Sequence, residues 1–432
     1  MTTSTHLVRQ RRFLPLFATQ LLNAFNDNLF KNAIVLFVVY SLYDSAQEEA
    51  RFSAIASAIF ILPFFVLSAF AGQLADMRDK ARIIRIIKAC EIVIMTVGAL
   101  GLLLAWQHVA VHALAIPLLL LGLFAMGVHS TFMGPIKYAI LPQHLQQREV
   151  LAGTGLVEAG TYVAILAGTI LAGWVPVQGA ALAVVITAVI GYFTSRWIPD
   201  APPEIAGQAL DFHILRASVT LVRRTMHDPR VFLAIIAISV FWANGTVLFI
   251  EFPPLTKSIL HASKEVASLF LVVFSIGVAL GSVSINALLK GRVSARYAPA
   301  AVVMMAVFIV VFEQLCAHWP RMTGPLMDIP MFLSHPMAAA LLLTLTAIAV
   351  AGGMFVVPLY AFLTTFVPKN ETARTVAANN IVNSMAMVAG AGVAMAQTAI
   401  GMPMVHQMLI CAGMSLLSAW CGWRLFRAEC RH

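Results

Sequence analysis

The sequence predicts an all-α protein that crosses a membrane about twelve times. Hydrophobic residues make up 60% of its 432 positions, charged residues only 11%, and the mean hydropathy is +0.87. A chain this apolar has too little polar surface to fold as one or two water-soluble domains. Its apolar runs reach the roughly twenty residues of a membrane span, and a backbone in lipid must satisfy its own hydrogen bonds. Such runs indicate helices rather than barrel strands.

The order of the spans and the positions of the basic residues predict the topology. An even number of spans places both termini on one side. About 23 lysines and arginines fall on that side, against about four on the other. We therefore expect cytoplasmic termini, and the net charge of +9 is a topology signal rather than a nucleic-acid patch. The expected spans are 13–42, 53–75, 83–105, 110–134, 151–174, 180–198, 231–252, 266–289, 299–317, 337–358, 376–400 and 404–423.

One long polar segment, 199–230, divides the chain into halves of similar length, 1–198 and 231–432. Within it, apolar residues recur at helical spacing while three arginines face elsewhere, as in an amphipathic helix lying on an anionic leaflet. The apolar residues are Leu210, Ile214, Leu221 and Val222, and the arginines are Arg216, Arg223 and Arg224. We expect this segment to be a cytoplasmic linker that tethers the two halves.

The two halves share short sequence patterns. Pro-Ile-Lys-Tyr-Ala-Ile-Leu at 135–141 resembles Pro-Leu-Tyr-Ala-Phe-Leu at 358–363, and residues 151–158 align with 376–383. Parallel repeats of this kind occur in transporters built from two six-helix units, whose substrate site lies near the bilayer midplane between the copies. The repeat thus predicts two pseudo-symmetric six-helix bundles.

The first expected span carries Asn23, Asp27 and Lys31 on one helical face, with Asn28 next to Asp27 in sequence. An aspartate at mid-bilayer costs about 2.5 to 3.5 kcal/mol, so it usually faces a partner or a wet cavity. Asp27 is therefore a candidate transport site. The alternative is a structural ion pair in which Asp27 and Lys31 neutralise each other.

After the second span, residues 72–82 read Gly-Gln-Leu-Ala-Asp-Met-Arg-Asp-Lys-Ala-Arg. This segment resembles the loop signature of the major facilitator superfamily, in which a glycine allows close helix packing and an aspartate latches the cytoplasmic gate. The resemblance implies the major facilitator fold and gate roles for Gly72, Asp76 and Arg82. In the second half, residues 281–292 lack the aspartate of this signature.

Within that superfamily, the chain resembles the bacterial lysophospholipid transporter (LplT) family along most of its length. The segments that carry the resemblance are Ala24-Phe25-Asn26-Asp27-Asn28, Gly72-Gln73-Leu74-Ala75-Asp76, Lys137-Tyr138-Ala139-Ile140-Leu141, Gly155-Leu156-Val157-Glu158-Ala159, Ser239-Val240-Phe241-Trp242 and Phe355-Val356-Val357-Pro358-Leu359. The resemblance implies movement of lysophospholipids, such as lysophosphatidylethanolamine, from the outer to the inner leaflet of the bacterial cytoplasmic membrane. Because reacylation follows, it also implies a cytoplasmic acyltransferase/acyl-carrier-protein synthetase as partner.

The chain departs from that family at two positions. Phe249 stands where the family has a basic residue in the seventh span, and Gln143 stands where it has a glutamate. Asp27 therefore lacks the charge partner that the resemblance implies. We expect Lys31 or Lys137 to replace it.

Other polar residues are candidates for the substrate path, and several have a structural alternative. Glu158 can bond the Thr154 hydroxyl near the interface. Asn379 and Asn383 can hold helices together, and His129 can be a hydrogen-bonded packing residue, so we assign it no proton coupling. The candidate substrate-binding residues are Asn23, Asp27, Asn28, Lys31, Lys137, Tyr138, Glu158, Trp242, Asn244, Asn379 and Asn383.

The sequence carries no motif for catalysis or nucleotide hydrolysis. It lacks a His-x4-Asp pair, a G-x-S-x-G elbow and a G-x-x-x-x-G-K-[ST] phosphate loop, and its five cysteines, Cys430 included, form no CxxC pair. We therefore expect a monomeric transporter without cofactor, metal or disulfide framework, and not an enzyme. A proton-coupled exporter of drugs or other amphiphiles remains the main alternative, and a membrane acyltransferase-type enzyme is the other.

Overall fold

The computed structural model describes residues 6–42, 46–203, 213–320 and 322–429, and Leu210 and Cys430 lie outside these ranges. The described residues are almost entirely helical, and their one isolated bridge joins Ala262 and Met327. The α-helices are α1 Leu14–Ser41, α2 Ala46–Met77, α3 Lys80–Trp106, α4 Ile116–Ala139, α5 Leu141–His144, α6 Gln147–Trp174, α7 Val177–Arg196, α8 Ile214–Thr225, α9 Pro229–Ser258, α10 Lys264–Leu289, α11 Ala298–Ala317, α12 Ile329–Ser334, α13 Ala338–Thr365, α14 Thr372–Ala399, α15 Met404–Gln407 and α16 Leu409–Glu429.

The expected all-α membrane architecture is confirmed. Within the described ranges, 11 helical segments are long and apolar enough to cross a membrane. The helix α1, with 28 residues, is long enough to cross but is not among them, because its asparagines, Asp27 and Lys31 lower its hydropathy. Together with α1, the spans are consistent with the expected twelve.

Polar caps start several of the helices. The Asp79 carboxylate accepts the Arg82 backbone N–H at the start of α3, and Asp228 accepts the Arg230 N–H at the start of α9. At the start of α6, Gln146 and Glu149 form a reciprocal capping box. Such caps satisfy backbone donors that the first helical turn leaves without partners, so these three helices begin at defined residues.

Two expected spans end too early. The spans 110–134 and 337–358 were expected to stop at the prolines of the internal repeat, whereas α4 continues through Pro135 and α13 through Pro358. Proline removes one backbone donor, but helices packed in a membrane tolerate it because neighbouring groups satisfy the freed carbonyl. The repeated prolines therefore lie inside helices and not after them.

The amphipathic helix of the linker is present as α8, but protein covers its apolar face. Leu221 and Ala217 are buried against Ala69 of α2 and Ala378 of α14. Arg216, Arg223 and Arg224 are exposed as expected, and Arg224 pairs with Glu371 over 2.7 Å. Protein therefore covers Leu221 and Ala217, because alanines on α2 and α14 leave room for the helix to dock, and contact of the rest of the helix with a leaflet stays a prediction.

The chain forms two compact units. The described residues of 1–153, 163–224 and 364–381 form the first unit, and those of 154–162, 225–363 and 382–432 form the second. The core of the first unit surrounds buried apolar residues of α1, α3 and α4, among them Phe30. The core of the second contains packed rings of Phe252, Phe270 and Phe312. The division of the sequence at 199–230 stays a prediction.

Within the second unit, α10 and α13 approach each other closely at glycines. A Cβ atom at Gly281 would lie 2.0 Å from the Val350 carbonyl oxygen, and one at Gly353 would lie 2.4 Å from the Val278 oxygen. Real Cβ atoms cannot come this close to a backbone oxygen. Small residues at such crossings allow the packing and weak hydrogen bonding that hold membrane helices together.

Replacing Gly281 therefore tests this crossing. Gly281→Ala should lower the melting temperature of the purified protein, since overpacking costs about 1–3 kcal/mol. Gly245→Ala is the matched control: a Cβ at Gly245 meets no atom within 4 Å. Alanine is the better helix former by about 1 kcal/mol, so this control should be neutral or stabilising. Equal melting temperatures for the two variants would contradict the close crossing.

Candidate functional site

The carboxylate of Asp27 lies on α1 and is held by two donors. The Asn23 amide donates to Asp27 Oδ2 over 3.1 Å, and the Ser130 hydroxyl of α4 donates to the same oxygen over 2.7 Å. The other oxygen, Oδ1, is buried and accepts no hydrogen bond from the described residues. Buried polar atoms normally have a partner. Asp27 therefore keeps one acceptor available for a ligand or a proton.

Lys31 does not form the predicted ion pair with Asp27. Its ammonium lies over the Phe60 ring of α2, 5.5 Å from the centroid, and pairs with no carboxylate of the described chain. A cation over an aromatic face is stabilised by the ring quadrupole. The structural alternative of a neutralised Asp27–Lys31 pair is thus wrong, because the Lys31 side chain extends towards α2 instead of along α1.

A buried cluster of charged and polar side chains lies beside Asp27. Lys88 pairs with Glu91 one turn later on α3, and both side chains are 0% exposed. Asn26 donates to Glu91 Oε1 over 2.7 Å, and His129 Nε2 lies 3.2 Å from Glu91 Oε2. A carboxylate in a low-dielectric interior needs such partners. The cluster thereby joins α1, α3 and α4 around Glu91.

Asn23 connects this cluster to Asp27. Its side-chain oxygen lies 3.5 Å from the Lys88 ammonium, while its amide donates to Asp27. Lys88 contributes one positive charge, and Asp27 and Glu91 contribute two negative charges. The group therefore carries one net negative charge when His129 is neutral. A low-dielectric interior favours charge balance. The arrangement therefore suits a single added positive charge, either a ligand cation at Asp27 or a proton.

Sequence reasoning missed Lys88 and Glu91 as part of the site. The topology count includes Lys88 among the basic residues of the cytoplasmic side although it falls within the expected span 83–105, and the structure buries its side chain inside α3. The sequence did contain a signal for this pair. Lys88 and Glu91 are opposite charges three residues apart in an otherwise apolar helix, and side chains at this spacing contact each other. His129 Nε2 lies 3.2 Å from Glu91 Oε2, but neither ring nitrogen forms a hydrogen bond with the described residues, so the expectation of a hydrogen-bonded histidine is not met. The approach of His129 to Glu91 could not be named from the sequence, because Glu91 lies on a different helix.

The predicted gate residues Gly72 and Asp76 lie where α2 meets the start of α14. The Asp76 carboxylate accepts the backbone N–H groups of Ala373 and Arg374, each over 2.9 Å. A Cβ at Gly72 would lie 2.6 Å from the Ala377 Cβ, so only glycine permits this approach. A carboxylate at a helix N-terminus satisfies unpaired donors and is favoured by the helix dipole. We call this contact of Asp76 with the start of α14 the latch.

Arg82 does not take part in the latch. Its side chain is exposed, and its backbone N–H is bound by the Asp79 cap. One basic side chain beside Asp76 is Arg374, with its Nε 3.9 Å from Asp76 Oδ2. Arg82 does not contact Asp76 because the loop between α2 and α3 is so short that Arg82 already belongs to the first turn of α3. A gate role for Arg82 stays a prediction.

The remaining candidates of the first unit have other neighbours. The Lys137 ammonium lies over the Tyr138 ring, 4.9 Å from the centroid, at the end of α4. The Asn28 amide donates to the Ala24 carbonyl over 2.8 Å and not to Asp27. Asn379 is fully buried on α14, and its amide forms no hydrogen bond with the described residues.

In the second unit, an aromatic and amide network surrounds Trp242. Its indole N–H donates to the Tyr360 hydroxyl over 2.8 Å, and its ring stacks on Tyr162 with centroids 6.4 Å apart. Asn383 donates to the same Tyr360 hydroxyl over 3.3 Å and accepts from Ser239 over 2.7 Å. The structure thus brings Trp242 and Asn383 together, and Tyr162 and Tyr360 are members that sequence reasoning missed.

Three further residues of this unit were singled out in the sequence: Glu158, Asn244 and Phe249. Glu158 is buried, one turn before Tyr162 on α6. The Asn244 amide donates to the Cys411 carbonyl and the Ser415 hydroxyl, which is helix packing between α9 and α16. Phe249 packs edge-on against Phe274, with ring centroids 5.2 Å apart. An apolar contact therefore occupies the position where the LplT resemblance implies a basic residue.

The chain has the sequence pattern of a known transporter superfamily. The sequence model of the Major Facilitator Superfamily matches residues 16–391, which is most of the chain. The chain therefore belongs to the Major Facilitator Superfamily and is a membrane transporter, not an enzyme.

Two relatives illustrate the sequence similarity. The lysophospholipid transporter LplT of Serratia proteamaculans (strain 568) is 26% identical over 364 residues, covering 82% of this chain and 80% of the relative. The lysophospholipid transporter LplT of Photorhabdus laumondii is 23% identical over 407 residues, covering 90% of this chain and 88% of the relative.

Solved structures share the fold at low sequence identity. The human organic anion transporter MFSD10 is 13% identical with a TM-score of 0.71, covering 95% of this chain and 99% of that one. A bacterial homologue of the iron transporter ferroportin in an outward-facing state is 11% identical with a TM-score of 0.70, covering 98% and 100%. The symporter FucP in the outward conformation is 12% identical with a TM-score of 0.67, covering 96% and 98%.

The buried ion pair yields a stability prediction. Lys88→Met leaves Glu91 buried without its cation and should cost about 3–5 kcal/mol, which lowers the melting temperature of the purified protein. Lys88→Met/Glu91→Gln removes both charges and should recover much of the loss. Lys31→Met is the matched control, because this lysine pairs with no carboxylate of the described chain. A Lys88→Met variant as stable as the Lys31→Met control would show that Glu91 does not depend on Lys88.

Proposed function

We propose that the protein moves lysophospholipids, such as lysophosphatidylethanolamine, from the outer to the inner leaflet of the bacterial cytoplasmic membrane by alternating access. Membership of the superfamily supports transport. The names of the relatives at 23% and 26% identity support this substrate class. The observation that carries the proposal is the Asp27 carboxylate, which has one oxygen without a hydrogen bond from the described residues.

The chemistry of the head group fits this face of α1. Lysophosphatidylethanolamine carries an ammonium two carbons from its phosphate ester, and the ammonium supplies the positive charge that the Asp27 cluster lacks. Lys31 lies one turn further along α1, and residues at this spacing have Cβ atoms about 5–6 Å apart. Its side chain extends towards Phe60, so a change of rotamer along α1 must accompany its contact with the phosphate. Its ammonium is paired with no carboxylate of the described chain, so it can engage the phosphate. A cation–carboxylate contact at one position and a cation–phosphate contact one turn away match a zwitterion.

Other parts of the proposal rest on sequence alone. The excess of lysine and arginine on one side supports cytoplasmic termini in the inner membrane. The family resemblance supports a cytoplasmic acyltransferase/acyl-carrier-protein synthetase that reacylates the product, and we propose a monomer. Lys137, Tyr138, Glu158, Trp242, Asn379 and Asn383 stay candidates for the path, as does Asn28.

The main test is transport by Asp27 variants. In liposomes holding the purified protein, Asp27→Ala should lower the rate of labelled lysophosphatidylethanolamine movement about ten- to hundredfold, the worth of one hydrogen bond to a charged group. Asp27→Glu should retain part of the rate because it keeps the charge. Glu251→Ala is the control, since Glu251 is another buried carboxyl residue, on α9. Normal movement in Asp27→Ala would show that this face of α1 is not the substrate site.

The same liposomes distinguish the second candidate function. The charge imbalance of the Asp27 cluster also suits a proton, which is the observation that favours a proton-coupled exporter of amphiphiles. For that function, an imposed proton gradient should drive a cationic dye out, and Asp27→Ala should abolish the effect. For the lysophospholipid function, lysolipid movement should occur, and the dye should not move with or without a gradient.

We further propose that the latch stabilises one end state of the transport cycle. Opening of the gate must release the start of α14 from Asp76, because the carboxylate binds two of its backbone donors. Removing one of these bonds shifts the equilibrium between states. A shift of about 1–3 kcal/mol changes the populations about 5- to 150-fold.

Hydrogen exchange tests the latch directly. In Asp76→Asn, the single amide oxygen can replace only one of two carboxylate acceptors, so exchange of the Ala373 and Arg374 amides should become faster. Asp79→Asn is the matched control because asparagine caps a helix about as well as aspartate. Mass spectrometry of peptides spanning 370–380 provides the measurement. Unchanged exchange in Asp76→Asn together with normal transport would contradict a gating role.

A further inference from the structure

The first unit contains a second feature that the transport site does not use. An open groove of about 1010 Å³ lies between α2, α3 and α4. This volume is at the upper end of the 300–1,000 Å³ typical of small-molecule pockets. Most of its lining is apolar, and Ile86, Leu121 and Phe124 are exposed in it. A groove of this kind on a membrane protein accepts hydrocarbon.

One end of the groove is basic. Arg78 and Arg82 line it there, both are exposed, and neither guanidinium is paired with a carboxylate of the described residues. Asp79 lies between them in sequence, but its carboxylate accepts the Arg82 N–H over 3.0 Å and the Ala201 N–H over 3.4 Å. These bonds hold the Asp79 carboxylate at the start of α3, and no ion pair joins it to either guanidinium within the described residues. Two guanidinium groups remain to meet an anion at this end.

The length of the groove matches one leaflet of a bilayer. Along α3 it runs from Arg82 to Ile94, which is 12 helical steps. This corresponds to a rise of about 18 Å. Half of the hydrocarbon core is about 15 Å thick. An acyl chain that starts at the arginines therefore ends near the far end of the groove, close to the bilayer midplane.

We propose that this groove binds an anionic phospholipid of the cytoplasmic leaflet. Its phosphate contacts Arg78 and Arg82, and its acyl chains follow α3 and α4. The choice of leaflet rests on the orientation proposed above. His129 also lines the groove and lies 3.2 Å from Glu91, so the bound lipid covers the outer side of the charged cluster. This lipid is a ligand distinct from the transported substrate, which contacts Asp27.

Cys90 provides a direct probe of the groove. It lines the groove and is exposed, whereas Cys316, Cys411 and Cys421 are buried. The quantity measured is the rate at which N-ethylmaleimide alkylates Cys90 in detergent. Mass spectrometry of the peptide that contains Cys90 gives this rate, so alkylation of Cys430 does not contribute. Added phosphatidylglycerol should slow alkylation at lower concentration than phosphatidylcholine does.

Removing the arginines should remove this preference. Arg78→Gln/Arg82→Gln should weaken phosphatidylglycerol protection of Cys90 about thirtyfold, the effect of two arginines near an anionic lipid. Arg148→Gln/Arg196→Gln is the matched control, because it removes the same charge from exposed arginines outside the groove. Ala125→Trp, which places a large ring in the groove, should abolish protection by both lipids.

Three outcomes would overturn the proposal. Equal protection by phosphatidylglycerol and phosphatidylcholine would remove the anionic preference. Undiminished protection in the Arg78→Gln/Arg82→Gln variant would place the head group elsewhere. Protection by soluble glycerol 3-phosphate as strong as that by the lipid would show an anion site without an acyl groove. Because the assay measures binding and not transport, each outcome leaves the Asp27 test unaffected, and failure of the Asp27 test leaves the lipid site standing.

Discussion

The polar architecture of the first unit depends on a lysine and a glutamate buried together inside one membrane helix. Lys88 and Glu91 are both 0% exposed. Removing such charges from water costs several kcal/mol per ion, which their attraction offsets only when further groups satisfy the remaining donors and acceptors. Asn26 of α1 donates a hydrogen bond to Glu91, and His129 Nε2 of α4 lies 3.2 Å from its other oxygen. The pair therefore fixes the relative positions of three helices.

Asp27 is positioned by the same constraint. Asn23 lies between the Lys88 ammonium and the Asp27 carboxylate, and Ser130 follows His129 on α4, so the helices that surround Glu91 also carry both donors to Asp27. One Asp27 oxygen remains without a hydrogen bond from the described residues. The site thus has one carboxylate oxygen without a hydrogen bond and one net negative charge. Both properties suit it to bind and release a cationic group. A complete ion pair between Asp27 and Lys31 would lack these properties.

Much of the fold could be predicted from the sequence, because span length and charge asymmetry are local properties. The helices α3, α6 and α11 begin within a few residues of their expected positions. Gly72 and Asp76 were predicted from their motif, but their partner, the start of α14, lies 297 residues further along the chain. The Asp27–Lys31 spacing allowed an ion pair, and only the position of Phe60 shows that Lys31 faces α2 instead. Lys88 and Glu91 could not be assigned to the site because their other partners lie on other helices.

A structure of the complex with lysophosphatidylethanolamine, determined by electron cryomicroscopy, tests the central claim most directly. We expect the ethanolamine ammonium within about 3 Å of Asp27 Oδ1, the length of a charge-assisted hydrogen bond. We also expect the phosphate near Lys31, with Lys88 and Glu91 still paired. A lysolipid bound away from α1, with Asp27 Oδ1 still lacking a partner, would contradict the assignment of Asp27 as the substrate site.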